Sequence, residues 1–242
     1  MRNIVISGSA SGIGLACKER LESMGATVIG IDIRDADIIA DLSSPEGRQQ
    51  AIEAALERTG NAIDGLILSA GVSGIQQPGD FTVSLNYFGS VDLLDGLRPA
   101  MEGRANACAI GLVSNSSQFD IDYDDPLVLA MLEGDEEKSR EMVMTLTHGD
   151  AYRFTKHALA RAIRRRAVEW GPLGVRINAI VPGMSESPMV AALMEDPQVA
   201  PLLDLLPCPV GRMGTAAEMA GVVTFLLSED AAYVDGMMMW VD

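Results

Sequence analysis

The hydrophobic pattern of this chain changes period across a run of glycines close to its start, and that change restricts the possible folds more than any other feature. Residues 3–7 (NIVIS) form a short β-branched run of the kind buried in a sheet. From Leu15 through Ala16, Leu21 and Met24 the apolar residues recur with helical spacing, and Gly25 offers a stop. The connecting segment SGSASGIG carries Gly8, Gly12 and Gly14. Gly8 permits a tight turn, and Gly12 and Gly14 let backbone and ligand approach where a Cβ would collide. A helix that starts there aims free N–H groups and the positive end of its dipole at an anion such as a pyrophosphate. A second apolar run, 26–31 (ATVIGI), leads into Asp32, whose carboxylate can accept hydrogen bonds from ribose hydroxyls and repel a 2′-phosphate. Together these features predict a dinucleotide site. Asp32 predicts NAD in preference to NADP, and it is weighed above Arg34, the residue type that would accommodate the extra phosphate.

The alternation continues along the chain. Ser44-Pro45 reads as a helix start and Gly60 as its end. Residues 65–69, 107–113, 174–180 and 236–241 read as strands, and 81–101, 152–170 and 215–228 as helices. Strands alternating with helices predict an α/β fold with a doubly wound parallel sheet (Rossmann-type), in a single domain over 1–242. Two segments break the rhythm, about 115–150 and about 184–212, and interruptions of that length carry helices of their own or a function. The first holds an acidic loop (Asp120, Asp122, Asp124, Asp125) and a helical stretch near 126–146, read as a solvated face without the ligand spacing of a calcium loop. The second is rich in Met and Leu, including Met184, Met189, Val190, Leu193, Met194, Leu202 and Leu205. Apolar residues at helical spacing read first as core, although a Met-rich surface also suits a bulky apolar ligand.

Composition narrows the function classes. With 18 basic and 34 acidic residues the formal net charge is −16, so nucleic acid and anionic membrane surfaces are poor partners. Cys17, Cys108 and Cys208 are widely spaced and form no CxxC pair, which predicts free thiols in a reducing, cytoplasmic setting. His148 and His157 have no metal-ligand spacing, so no metal site is expected. No apolar run is long enough for a membrane helix, and no signal-peptide core is evident. The basic run Arg164-Arg165-Arg166 reads as a solvated or ion-paired helix face.

Tyr152 and Lys156 lie four apart in a helical segment and so share a face. A phenol with an ordinary pKa near 10 is a weak base at neutral pH, and a neighbouring ammonium or a cationic ligand favours the phenolate. Lowering that pKa by about three units takes roughly 4 kcal/mol of differential stabilisation. Asn86 stands inside a helical segment, where its propensity is poor.

The turn G-x-x-x-G-x-G resembles the TGxxxGxG turn of the short-chain dehydrogenases/reductases, with Ser7 in place of threonine. Tyr152-x-x-x-Lys156 matches that family's YxxxK pair, Ser69-Ala70-Gly71 resembles its NAG motif, and Val181-Pro182-Gly183 matches its PG motif. The resemblance implies hydride transfer between a secondary alcohol and a nicotinamide cofactor. In that scheme Tyr152 is the acid–base, Lys156 tunes it, and Ser114 holds the substrate oxygen in preference to Ser116 or Ser117. Asn86 would help hold a proton-relay water through its side chain. Cofactor contacts are implied for Gly8, Ser11, Gly12, Ile13, Gly14, Asp32, Ile33, Asp41, Leu42, Ala70, Gly71, Tyr152, Lys156, Pro182, Gly183, Ser185 and Ser187. The family also implies a substrate lid at 184–212 and a homodimer or homotetramer. The opening IVISG, the stretches GIDIRDADIIADLS and SLNYFG, and the long insertion look like the family's bacterial 3α-hydroxysteroid dehydrogenase/carbonyl reductase branch. That branch implies a bulky hydrophobic alcohol or ketone. The alternatives are a small cyclic or aromatic alcohol, or a non-catalytic nucleotide-binding regulator, which would be expected to lose Tyr152 or Lys156. A dehalogenase-like lyase would lack the glycine turn and carry arginine in place of the lysine.

Overall fold

Apolar strands can be buried on both faces only if helices cover both sides of their sheet. In a computed structural model describing residues 2–118, 121–146, 148–197, 199–203, 206 and 208–242, this is the arrangement found. Asp120 and Leu205, and the side chains of His148 and Leu202, lie outside what is described. The strands are β1 (Asn3–Ser7), β2 (Thr27–Asp32), β3 (Ile38–Ile39), β4 (Gly65–Leu68), β5 (Ala107–Leu112), β6 (Val175–Pro182) and β7 (Met238–Val241). They form one parallel sheet in the order β3-β2-β1-β4-β5-β6-β7. The order reverses between β1 and β4, and a crevice at such a switch point is where ligands bind in open α/β sheets.

Register brings the candidate residues to one edge. Ser7 pairs with Ile31 on one side and Leu68 on the other, so the glycine turn, Asp32 and the loop after β4 leave the sheet together. Leu112 pairs with Ile180, which places Ser114 near the end of β6. Alternating side chains feed two apolar layers. Val5, Ile31, Leu66, Leu68, Ala109 and Ile177 face α2 (Pro45–Thr59), α4 (Gly89–Leu97) and α7 (His148–Trp170). Ile4, Ile6, Ile67, Ile110 and Ile180 face α1 (Gly12–Ser23) and α10 (Ala216–Leu227). Cys17 and Cys108 are free and buried in the second layer, and burial pushes their thiols up to about 12 and about 11.

Local signals explain most boundaries. The Ser44 side chain caps α2 by accepting from Gly47 N, and Gly60 closes it with φ +60°. Three departures from the sequence reading have physical causes. The stretch 126–146 is two helices, α5 (Pro126–Glu133) and α6 (Glu136–Val143), because Gly134 turns left-handed (φ +80°) and Asp135 caps a new start. The segment 81–101 is α3 (Gly79–Val83), a π turn over Ser84–Phe88, α4, and a short 3₁₀ turn. The two-residue β3 is too short to leave a periodic signal. Within 184–212, α8 (Pro188–Met194) and α9 (Ala200–Leu203) form, and α8 buries none of its residues. Its methionines and leucine are therefore not core, against the first reading. Among the described residues no helix is long and apolar enough to cross a membrane.

Candidate active site

The glycine turn is shaped by close contacts. A Cβ on Gly8 (φ +71°) would come within 2.5 Å of Ala70 N, and one on Gly14 within 2.0 Å of the Gly8 carbonyl. At Gly12 the left-handed backbone (φ +55°) calls for glycine, since Ser187 Cβ and Pro188 Cδ lie at an uncrowded 3.9 Å from its missing Cβ. Ser11 begins α1 without a side-chain cap, and no acid stands in the first turn. Free N–H groups, a helix start and room at Gly12 make a cradle suited to an anion the size of a pyrophosphate. Ile13 is half-buried beside it. Asp32 braces the turn, accepting from Ala10 N at 3.0 Å and from Ile33 N at 2.7 Å. Its remaining lone pairs are available to hydroxyl groups. Ile33 is exposed at the rim. Asp41 accepts from Ser43 N and Oγ, and Leu42, itself buried, presses its carbonyl against Gly89, where a Cβ would stand 3.0 Å away.

The four chemistry-bearing residues converge beside this cradle. Ser114 is buried just beyond β5 and stands by the half-buried Tyr152 phenol on α7, near enough to hold its pKa down against burial. Its Oγ also accepts from Ser116 N at 3.2 Å and lies 3.0 Å from Ser116 Oγ. Ser116 is thus the support of Ser114 rather than its rival. Lys156, one turn after Tyr152, is 6% exposed and donates to the Leu112 carbonyl at 2.7 Å. Its Nζ stands 5.7 Å from the Tyr152 ring centre. Burial pulls this lysine down to about 8, while burial raises Tyr152 and the Ser114 hydrogen bond opposes the rise. The expected lowering of the phenol is therefore not achieved by the chain alone, because Lys156 is turned to a carbonyl and not to the hydroxyl.

Asn86 is fully buried in the π turn. Its Oδ1 accepts from Val72 N and its Nδ2 donates to Val72 O, both at 2.9 Å. The amide thus clamps the loop after β4. A Cβ on Gly71 in that loop would lie 3.0 Å from Asn86 Oδ1 and 3.7 Å from Lys156 Nζ. Ala70, its neighbour, donates to Ser7 Oγ at 3.3 Å. On the far side, Gly183 N bonds Val241 O at 3.0 Å after Pro182, and Ser185 bridges to Gly214. Ser187 caps α8 by accepting from Val190 N, directly above Gly12.

Sequence reasoning missed several supports. His157 Nδ1 bonds the Ser117 carbonyl at 2.8 Å and so ties the Ser114 turn to α7. The Thr155 hydroxyl lies 3.5 Å from Asn86 Nδ2 and donates to Tyr152 O. The position of each on the catalytic helix was the available signal. The acidic insertion is not all solvated face: Asp125 and Asp135 cap helices, and Glu136 is ion-paired to Arg48. Of the basic run, Arg166 pairs with Asp95 at 2.5 Å, while Arg164 and Arg165 are exposed. Among the described residues no group of His, Cys, Asp or Glu could hold a metal.

Known proteins are similar in sequence and fold. The family model described as Enoyl-(Acyl carrier protein) reductase matches residues 138–242. The chain is 40% identical over its whole length to the 3-alpha-hydroxysteroid dehydrogenase/carbonyl reductase of Comamonas testosteroni, covering 95% of that protein. It is 30% identical over its whole length to levodione reductase of Leifsonia aquatica, covering 92% of it. The crystal structure of the 3-alpha-hydroxysteroid dehydrogenase from Pseudomonas sp. B-0831, complexed with NADH, superposes with a TM-score of 0.96 at 39% identity, over 99% of this chain and 95% of that one.

Proposed function

The chain belongs to the short-chain dehydrogenase/reductase family, and on that premise we propose that it interconverts a bulky hydrophobic secondary alcohol of the 3α-hydroxysteroid kind and its ketone, using NAD(H) in preference to NADP(H). It is an oxidoreductase acting on CH–OH groups with a nicotinamide cofactor. The observation that carries the reading is the convergence of buried Ser114, the Tyr152 phenol and buried Lys156 at the sheet edge that also holds the glycine turn.

A bound nicotinamide supplies the hydride acceptor or donor. Tyr152 takes the hydroxyl proton in the oxidative direction and returns it in the reductive one. Ser114 shares its hydrogen bond with the substrate oxygen and fixes its orientation. Lys156 adds positive charge beneath the phenol, which burial otherwise holds protonated. In this reading Gly8, Ser11, Gly12, Ile13 and Gly14 hold the pyrophosphate, and Asp32 and Ile33 the adenosine ribose. Asp41 and Leu42 flank the adenine. Ala70, Gly71, Pro182, Gly183, Ser185 and Ser187 line the nicotinamide end, where Tyr152 and Lys156 also meet the cofactor. Asp32 is the ground for NAD: a carboxylate repels a 2′-phosphate. The unburied apolar residues of α8, beside Ser187, support a bulky hydrophobic substrate.

The working unit in this proposal is a homodimer or homotetramer. Among the described residues the sheet ends at β7, which pairs with β6 alone, and Met237 and Trp240 beside that edge and Phe225 on α10 are exposed. The free thiols accord with a cytoplasmic setting. The test is absorbance at 340 nm with NAD and with NADP against 3α-hydroxysteroids, cyclic alcohols and aromatic ketones. Turnover of a 3α-hydroxysteroid with NAD is expected. Turnover confined to small cyclic or aromatic substrates would discard the steroid assignment, and silence throughout with tight NADH binding would favour a non-catalytic regulator.

A further inference from the structure

One buried charge has no part in the site just described. Arg48, on α2, is 2% exposed and is held from three directions. Its Nε lies 2.7 Å from Asp92 Oδ2 on α4. Its Nη1 and Nη2 lie 3.2 Å and 2.5 Å from the two carboxylate oxygens of Glu136, the first residue of α6 in the acidic insertion. Nη1 also donates to the Ser84 carbonyl at 3.3 Å.

Ser84 opens the π turn, and its carbonyl also accepts from Gly89 N, five residues on. A π turn is an uncommon, single-turn widening of a helix, met most often at functional sites. Two residues after Ser84 stands Asn86, whose amide is committed at both ends to Val72. Val72 follows Gly71, which packs between Asn86 and Lys156. A continuous chain of bonds therefore runs from the insertion, through Arg48 and the π turn, to the loop beneath the candidate cofactor site.

We infer that Arg48 is a positioning residue: through Ser84 it holds the π turn in the register that presents Asn86 to Val72, and through Glu136 it makes the acidic insertion part of that support. Only its effect on turnover rests on the oxidoreductase reading. Neutralising the three charges together, in Arg48→Met/Asp92→Asn/Glu136→Gln, removes the arginine and leaves no unpaired charge. In that variant the Val72 amide is expected to exchange with solvent at least about tenfold faster than in the parent, while Val5 in β1 keeps its rate. With a substrate in hand, kcat is expected to fall about tenfold with KM for the alcohol unchanged. Parental exchange at Val72 in the folded triple variant would overturn the inference, whatever its activity. Should the triple variant not fold, Glu136→Gln alone is expected to speed Val72 exchange about threefold, and an unchanged rate there overturns it as well. A parent that turns over no alcohol defeats the functional reading, and Val72 exchange still decides the role of Arg48.

Discussion

Tyr152 and Lys156 are both disturbed by burial, each toward its neutral form. For the lysine this has a thermodynamic signature. The native group titrates at about 8 against an ordinary 10.5, so below pH 8 the fold carries a full penalty for a buried charge. Between those values the native chain binds fewer protons than the unfolded one, and stability from this group rises with pH. Lys156→Met is therefore expected to melt above the parent at pH 7, by up to about 3 kcal/mol, with the gap closing toward pH 10.5. Thermal unfolding across that pH range checks it, and a constant gap would sink it. Tyr152→Phe keeps the ring and loses the proton-transfer group; turnover is expected to fall by about 10²–10⁴ while NADH still binds, measured by fluorescence titration. Tyr152 and Lys156 could be named as candidates from their spacing and Ser114 from the family resemblance, and the fold brings the three together. The partner of Lys156 was not legible, since the Leu112 carbonyl is a backbone atom that any residue could supply.

At the scale of elements, the glycine turn is the part most tightly specified by residue type. Gly14→Ala would drive a Cβ to 2.0 Å from the Gly8 carbonyl. The expected outcome is a loss of about 1–3 kcal/mol in stability together with weakened NADH binding, read from denaturant unfolding and fluorescence titration. The helix start at Ser44-Pro45 and stop at Gly60 were legible because caps are local signals. The π turn was not, because its cause is tertiary: Arg48 comes from a different helix to meet Ser84. The break at Gly134 lies between these cases. A glycine followed by Asp135 is a stop and a start, yet the sequence reading runs a single helical stretch through both.

The molecule as a whole is strongly acidic, and its net charge of −16 must be carried by a compact fold. Self-repulsion of that kind weakens with ionic strength. Raising salt from about 10 mM to about 500 mM is expected to raise the melting temperature by a few degrees, and a flat or falling salt dependence would contradict the expectation. The parallel sheet with its two-layer core followed from alternation, since such a sheet needs covering on both faces, whereas the strand order did not. The placement of the insertion did not, because nothing local in its sequence names the surface it packs on. Its anchoring by a buried guanidinium bears on how such a chain can change over time. Positions 48 and 136 are 88 residues apart, yet neither is free to vary alone. A descendant that lost the insertion would leave a buried guanidinium with Asp92 alone and its bidentate partner gone, and one that lost the cation would leave two carboxylates facing each other. Shortening this loop, in nature or at the bench, therefore begins with a substitution in a different helix.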